Sequence, residues 1–596
     1  MAADARTVPL DRDRLSDFSR DIRVLLLAML ALVVGAAAAG IAFLLVKLIG
    51  AITNLVFYGR FSLAFSVPTR HFLGPWIVLV PAAGGLVVGL MARFGTEKIR
   101  GHGIPEALEA ILTGGSRMEP RVALLKPLSS AIAIGTGGPF GAEGPIIMTG
   151  GAFGSLFAQL FRLSASERKT LLVAGAAAGM AAIFGTPVAA VLIAVELLLF
   201  EWKPRSFIPV TIAAVIAATL RPYLLGSGPM FPVAPHPAPG PHIMLAALAV
   251  GLGTGLAASL LTVLVYGMED LFARTPLHWM WWPAVGGLAV GAGGLIDPRV
   301  LGVGYDTIHA LLGGTLAGRT LVELLIGKTL VWGIALGSGT SGGVLAPLLI
   351  IGGALGAIAA HWIPVGDPSL WAMVSMAAMM GGTMGAPFTA IIFVLELTHD
   401  LNVMPALLVG CIAAHAVMVL LMRRSILTEK IARRGYHVTR EYSIDVLERL
   451  RVRDVMDAGP PTVPADMPVR ELANRIACGD PELARHHALP ILDQDGQLVG
   501  IITRRDLLRA LDDGADRTVI EAGSRRLAVA HPDETLGCAA ARMLRHHVGR
   551  LLVVNRQAPH TLVGYLGRPN ILEARLRELD EEQLREAGWR SRSEGR

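Results

Sequence analysis

Hydrophobic residues follow one another in long runs from Ile22 to Met422, with few charged residues between them. The run Ile22–Tyr58 is much longer than the ~20 residues that cross a bilayer as a helix. Other runs are short and broken by Gly and Pro, as in Gly135–Pro145 and Gly337–Pro347. Because broken helices are tolerated at membrane depth only where they line a protected cavity, this pattern predicts a membrane domain with a transport site.

The membrane pattern occurs twice along the chain. Gly141-Ala-Glu-Gly-Pro145 corresponds to Gly343-Val-Leu-Ala-Pro347 at an offset of 202 residues, and Gly185-Thr-Pro187 corresponds to Gly385-Ala-Pro387 at an offset of 200. These landmarks keep one order with a slip of two residues, so residues 22–422 are predicted to hold a duplicated unit, with copies at about 22–225 and 242–422. The motifs alone leave the relative orientation of the copies open.

After residue 422 the chain becomes rich in charge, which predicts a separate soluble part. Two similar segments, residues 451–511 and 517–579, each predict a helix, two strands and a second helix. Residues 423–450 form the predicted linker to them. The two ends of the chain are polar: a lead-in at residues 1–21, in which Asp and Arg alternate, and a tail at residues 580–596.

Composition excludes two classes of protein. Only 17% of the 596 residues are charged, against about a quarter in soluble proteins, and 68 are Gly. The chain is therefore neither disordered nor an ordinary cytosolic enzyme, and its small residues suit helices packed closely in lipid. More than half of the Lys and Arg lie after residue 422 among many acids, so the net charge of +6 predicts no nucleic-acid partner. By the positive-inside tendency, the C-terminal part is expected to be cytoplasmic.

The sequence offers little for catalysis or metal binding. Gly339-Thr-Ser-Gly-Gly343 matches the Gly-x-Ser-x-Gly pattern of hydrolases, but it lacks the strand-to-helix context that this pattern needs. The three cysteines are scattered and form no metal or disulfide pattern. We therefore expect a protein that is not an enzyme, with no metal and no cofactor apart from a nucleotide at the soluble part.

Three segments share a Gly-flanked turn that runs into an apolar helix with a Pro near its start. They are Gly101-His-Gly-Ile-Pro105, Gly141-Ala-Glu-Gly-Pro145 and Gly343-Val-Leu-Ala-Pro347. A helix N-terminus presents unpaired N–H groups and the positive end of the helix dipole, so it attracts anions. An ion held by backbone amides can also leave, as conduction requires. The three segments together predict an anion pathway.

In this order and on a duplicated domain, these motifs resemble the CLC chloride channels and chloride/proton antiporters, and the C-terminal pair resembles tandem CBS modules. The resemblance implies an all-α multi-pass membrane domain of two inverted repeats with broken helices, followed by an α/β cytoplasmic CBS pair. It also implies a homodimer in the cell membrane, here the bacterial inner membrane. Each subunit would carry its own pathway for chloride or a related anion.

The resemblance assigns roles to individual residues. Glu143 would act as a gate: ionised, its carboxylate competes with the anion, and protonated, it swings away. An acid at membrane depth indicates a functional site even without the resemblance, because burying it is costly. The alternative is an acid that only complements a helix dipole. The anion-binding positions implied are His102, Gly103, Ile104, Gly141, Ala142, Gly144, Val344, Leu345 and Leu427.

Four positions depart from the family pattern. His102 replaces the usual Ser, and its ring either donates a hydrogen bond to the anion or turns toward a water-filled vestibule. Leu427 stands where a Tyr closes the pathway, Leu197 where antiporters have a second Glu, and Ala142 where the motif usually has Arg. Leu197 and Leu427 favour a channel-like or weakly proton-coupled transporter, with a chloride/proton antiporter as the alternative. A CBS-bearing divalent cation transporter is remote, because its pore would need acidic residues.

CBS pairs typically bind adenine nucleotides through a Thr/Ser-x-x-Asp element, which the first module retains as Thr503-Arg-Arg-Asp506. The resemblance therefore implies ATP, ADP or AMP at Thr503, Arg504 and Asp506. The second module has Gly567 and Asn570 at the corresponding positions, so at most one good site is expected. The alternative is a purely structural module that couples two subunits.

Overall fold

The computed structural model describes residues 23–69, 71–112, 116–433, 447, 450–483, 486–513 and 517–583. The predicted lead-in at residues 1–21 and the tail beyond residue 583 lie outside the described residues. The chain divides into two compact units, Met1–Glu441 and Tyr442–Arg596.

The described part of the first unit is helical. Its first half contains α1 (Arg23–Tyr58), α2 (Leu79–Phe94), α3 (Ile104–Leu112), α4 (Pro120–Gly135), α5 (Glu143–Gln159), α6 (Ala165–Phe184), α7 (Pro187–Ile193), which continues into a π-helical turn (Ala194–Leu199), and α8 (Pro204–Leu224). Its second half contains α9 (Pro241–Ala273), α10 (Trp282–Ile296), α11 (Tyr305–Leu312), α12 (Arg319–Gly337), α13 (Leu345–Ala359), α14 (Pro368–Met384), α15 (Pro387–Thr398) and α16 (Met404–Leu421), followed by α17 (Ile426–Arg433).

Several of these helices have the length of a membrane span. Among the described residues, six helical segments are long and apolar enough to cross a bilayer: Arg23–Tyr58, Gly74–Phe94, Pro204–Leu224, Pro241–Ala273, Arg319–Gly337 and Leu401–Arg433. The apolar helices Pro187–Leu199, Leu345–Ala359 and Pro387–Thr398 are shorter. The described part of the chain thus contains both long and short apolar helices, as the broken hydrophobic runs predict.

Local sequence explains where the helices stop and how closely they pack. Both α6 and α14 end at a glycine in the left-handed conformation, Gly185 at φ +71° and Gly385 at φ +70°. Gly150 of α5 and Gly175 of α6 lie against each other's backbone, so a side chain at either position would overlap a carbonyl group. Small residues therefore allow the close helix packing that membrane domains need.

Two buried lysines reveal the repeat in three dimensions. In α4 the Lys126 ammonium donates to the carbonyls of Ile99 and Gly101 at 2.8 and 2.7 Å. In α12 the Lys328 ammonium donates to the carbonyls of Val300 and Gly302 at 2.9 and 3.3 Å. In each half, a buried lysine thus hydrogen-bonds the equivalent helix to the equivalent loop.

The predicted linker at residues 423–450 is in part a helix of the first unit. α17 packs against α3, and Lys430 of α17 forms an ion pair with Glu106 of α3 at 2.6 Å. Residues 434–446 and 448–449 of that linker lie outside the described residues.

The second unit contains two small sheets with helices. Its strands are β1 (Asp457–Ala458), β2 (Val463–Pro464), β3 (Ala488–Leu492), β4 (Leu498–Thr503), β5 (Val529–Ala530), β6 (Arg550–Val554) and β7 (Leu562–Gly567). Its helices are α18 (Val469–Ala477), α19 (Arg504–Asp512), α20 (Val519–Ala522), α21 (Leu536–Arg545) and α22 (Arg568–Gln583). One sheet has the order β2-β3-β4 and the other has the order β1-β7-β6-β5.

The first described residues of the second unit pack with its second module. Strand β1 lies within residues 451–511, predicted as the first module, yet it pairs antiparallel with β7 of the second sheet. Val452 likewise lies in the apolar core of the second module. The two modules also contact each other directly, because the ring of Tyr565 meets that of His486 edge-on at 6.2 Å between centroids. Burial raises the pKa of the Tyr565 phenol.

Candidate anion site

The two halves of the first unit meet at their glycine-rich motifs. Gly141 donates to the carbonyl of Gly343 at 3.3 Å, and Gly343 donates back to Gly141 at 2.9 Å. This antiparallel bridge joins equivalent residues of the two copies, which is a two-fold relation. Gly342 in turn donates to the carbonyl of Gly101 at 3.4 Å. All three predicted anion motifs are therefore linked through their backbones.

The convergence depends on residues without side chains. Gly103 has φ +92°, a conformation that only glycine adopts easily. A Cβ at Gly343 would lie 2.6 Å from the carbonyl oxygen of Gly141, and one at Gly144 would overlap the carbonyl of His102. The glycines thus let three chain segments approach one point.

Glu143 occupies the centre of this arrangement. It is the first residue of α5, its side chain is fully buried, and its Oε1 accepts a hydrogen bond from the Ala346 N–H at 3.0 Å. Ala346 lies in the first turn of α13, where the N–H groups have no intrahelical partner. The carboxylate therefore lies where the N-terminus of α13 attracts an anion, and it occupies the position of that anion. The second oxygen, Oε2, has no hydrogen-bond partner among the described residues.

The other predicted anion-binding residues surround this point, but not all of their N–H groups are available. Leu345 begins α13 and Val344 precedes it, while Gly144 lies in the first turn of α5 and Ala142 precedes that helix. Ile104 begins α3. The N–H of Gly103, by contrast, already donates to Glu106 at 2.9 Å, and that of Gly141 donates to Gly343.

His102 and Leu427 are both buried. The His102 residue is only 3% exposed, so its ring is not turned toward a water-filled vestibule in this structure. Its Nδ1 has no hydrogen-bond partner among the described residues. The charged residues that interact with its ring are Glu106, Lys430 and Lys126. Leu427 lies in the first turn of α17 and is 1% exposed. Its apolar side chain lies at the position where the resemblance implies a Tyr hydroxyl.

Sequence reasoning missed the charged residues that support the first motif. Glu106 receives the Gly103 N–H and pairs with Lys430, while the fully buried Lys126 holds the carbonyl of Gly101. A signal was present in the sequence, because a lone Lys inside an apolar run is a functional or structural marker by default. Lys126 also has a counterpart at the repeat offset of 202, Lys328.

The two positions considered for proton transfer are a leucine and a glutamate that is bound by its neighbours. Leu197 is buried in the π-helical turn after α7. The nearby Glu201 accepts from the Ser206 hydroxyl at 2.8 Å and pairs with Lys203 at 3.2 Å. Glu201 is thus engaged in local contacts at the start of α8.

The Thr503–Asp506 element caps a helix. The Asp506 N–H donates to the Thr503 hydroxyl oxygen at 3.2 Å and the Thr503 N–H donates to Asp506 Oδ2 at 3.0 Å, which closes a capping box on α19. The Thr503 hydroxyl also donates to Asp506 Oδ2 at 2.6 Å. The cleft beside it is lined by His486, His487 and Arg504. In this arrangement the Thr503 hydroxyl and the Asp506 carboxylate bond to each other, so a nucleotide would have to replace that bond.

The comparisons with known proteins identify the family. The family described as voltage gated chloride channel matches residues 83–419, and CBS domains match residues 452–513 and 519–577. The chain belongs to the CLC family. It is therefore a membrane protein of a family that transports anions.

Individual CLC proteins show how far the similarity extends. The voltage-gated ClC-type chloride channel ClcB of Salmonella typhimurium strain LT2 is 31% identical over 374 residues, covering 60% of this chain and 88% of that protein. Among solved structures, a slow cyanobacterial Cl⁻/H⁺ antiporter aligns with a TM-score of 0.59 at 22% identity, covering 70% of this chain and 98% of that chain. A eukaryotic CLC transporter aligns with a TM-score of 0.58 at 20% identity, covering 92% and 98%. At these identities the structures establish the CLC fold, with helical repeats followed here by CBS domains.

Proposed function

We propose that the protein passes chloride through a pathway in each subunit of a homodimer, with Glu143 as the gate. The observation that carries this proposal is the hydrogen bond from the Ala346 N–H to the Glu143 carboxylate at the start of α13. An ionised carboxylate and a chloride ion compete for the same N–H groups and the same helix dipole. The gate is closed in this arrangement because the carboxylate holds the site.

Protonation opens the gate. A neutral carboxyl group loses most of its attraction to the helix N-terminus, so it leaves the site and an anion replaces it. Chloride flux then rises as the pH falls, because the protonated fraction of Glu143 grows. Backbone N–H groups hold the anion, and an ion held in this way can also leave.

The pathway is proposed to be channel-like or weakly coupled to protons. Proton coupling needs a second relay from the gate to the other side of the membrane. Leu197 has no titratable group, and Glu201 is engaged by Ser206 and Lys203. Leu427 offers no hydroxyl to close the inner end of the anion path. These three features support leaky or uncoupled flux over strict exchange.

Helices α7 and α15 support the homodimer. Val188 of α7 and Phe388 of α15 are 54% and 55% exposed in the single chain. Beside them Glu396 and Glu196 are only partly buried, and carboxylates that face lipid are costly. A second copy of the chain on this face would remove both the apolar surface and the carboxylates from lipid.

Simultaneous ion measurements test the proposal. Purified protein is reconstituted in liposomes loaded with chloride, and a chloride electrode and a pH electrode record the outside solution together. We expect chloride efflux with little proton movement. Proton pumping against its own gradient at a fixed ratio to chloride would instead identify a chloride/proton antiporter, and absence of any anion flux would reject the proposal.

A further inference from the structure

Tyr305 is held rigidly at the beginning of α11. Its ring stacks on Phe65 at 5.6 Å between centroids and meets Phe184 and Phe231 edge-on at 6.3 and 5.9 Å. The preceding Gly304, at φ +78°, turns the chain into the helix. Three aromatic neighbours therefore fix the direction in which the phenol points.

The hydroxyl of this ordered ring has no use in the packing. Tyr305 Oη is buried and has no hydrogen-bond partner among the described residues. A buried polar group without a partner is destabilising and calls for an explanation. A phenylalanine would fill the same space without that cost.

Glu143 carries a second buried polar atom without a partner. Its Oε2 is also buried without a hydrogen bond, and the two side chains interact electrostatically. Helix α11 packs against α13, the helix whose N-terminus holds the Glu143 carboxylate. Two neighbouring side chains thus each present an unsatisfied polar atom.

We propose that Tyr305 is the positioning residue that receives Glu143 when the protonated side chain leaves α13. This inference rests on the proposed gating function. The Tyr305 O–H donates to the carbonyl oxygen of the neutral carboxyl group, which stabilises the open gate. The charged and titratable groups around Tyr305 are Glu143 from α5, Asp306 and His309 on its own helix, and Lys328 of α12, which interacts with Asp306.

Tyr305→Phe tests the proposal, because it removes only the hydroxyl and keeps the ring. One lost hydrogen bond lowers the open population roughly three- to tenfold. Chloride efflux from liposomes at pH 7 should fall by that factor. The midpoint of the pH profile of efflux should move to lower pH by about 0.5 to 1 unit, because more protons are needed to open the gate.

A double-mutant cycle separates this effect from a general change in the pathway. In the Glu143→Ala background there is no carboxyl group to receive, so adding Tyr305→Phe should leave efflux unchanged. Equal loss in both backgrounds, or an unaltered pH profile for Tyr305→Phe, would overturn the proposal. Tyr58→Phe is the matched control, since the Tyr58 hydroxyl donates to the carbonyl of Val67 instead.

The same data distinguish this inference from the gating function itself. If Glu143→Ala retains the wild-type pH profile, the assignment of Glu143 as the gate is wrong, and the proposed role of Tyr305 fails with it. If Glu143→Ala abolishes the pH dependence while Tyr305→Phe behaves as wild type, the gate stands and only the role of Tyr305 is refuted.

Discussion

Glu196 and Glu396 each cap the helix that carries the other. Glu196 accepts the N–H groups of Phe388 and Thr389 at 3.3 and 2.9 Å, at the start of α15. Glu396 accepts those of Val188 and Ala189 at 3.0 and 2.8 Å, at the start of α7. Their match across the repeat is therefore a structural one, and it repeats the two-fold relation of Gly141 and Gly343.

Removing either cap should weaken the fold without altering ion selectivity. Glu396→Ala leaves two N–H groups at the start of α7 without an acceptor and removes a favourable charge from the helix dipole. We expect a loss of about 1–2 kcal/mol, seen as a lower apparent melting temperature in detergent. Glu396→Gln should lose less, since its amide oxygen still accepts. A variant that melts like the wild type but loses chloride efflux would assign the residue to transport instead.

Glu143→Gln should make chloride flux independent of pH. The amide cannot ionise, so it never gains the charge that holds the carboxylate at α13. We expect efflux at pH 7.5 to match the wild-type rate at low pH, while the wild type slows as the pH rises and Glu143 becomes ionised. Glu323→Gln, on the exposed face of α12, is the control and should keep the wild-type profile. A pH-dependent Glu143→Gln variant would contradict the gate.

The sequence could predict this site because its key residues form local motifs. Gly141, Glu143 and Gly343 stand in recognisable patterns, and the repeat brings two of the patterns together. The partners of those motifs were hidden because they are distant in the chain. Glu106 meets Lys430 across 324 residues, and no spacing rule connects them. Gly302-Val-Gly304 was also missed as a copy of Gly101-His-Gly103, because Asp306 stands where the first copy has a proline.

The same limit applies to the soluble unit. Its repeated pattern predicts two modules in chain order, and both modules form. Strand β1 nevertheless joins the second sheet, since a two-residue strand carries no periodic signal that could assign it to a partner.

His102 should contribute to anion affinity. A neutral imidazole has one N–H to donate, and His102 is buried within the first motif. We expect His102→Ala to weaken chloride binding about tenfold or more, measured by isothermal titration in detergent, because a hydrogen bond to a charged group is lost. His102→Ser restores a donor and should recover much of the affinity. Unchanged binding by His102→Ala would show that backbone N–H groups suffice.

The Glu106–Lys430 ion pair should fix α17 against the anion motif. The side chains of Glu106 and Lys430 are 3% and 16% exposed, so breaking the pair leaves a buried charge unbalanced. We expect Lys430→Met or Glu106→Gln alone to cost roughly 3–5 kcal/mol. The double variant should recover most of the melting temperature, since neither charge remains. Additive losses in the double variant would show that the two residues act independently.

Thr503 and Asp506 should bind adenine nucleotide weakly, because a nucleotide must replace hydrogen bonds that already exist. The Thr503 hydroxyl and the Asp506 carboxylate are hydrogen-bonded to each other. We therefore expect a dissociation constant above about 100 μM for a fluorescent ATP analogue titrated into the full-length protein in detergent, since each exchanged bond gains little. Thr503→Val removes the cap and should lower the melting temperature, with or without nucleotide. Tighter binding that Asp506→Ala abolishes would instead assign this element to a nucleotide site.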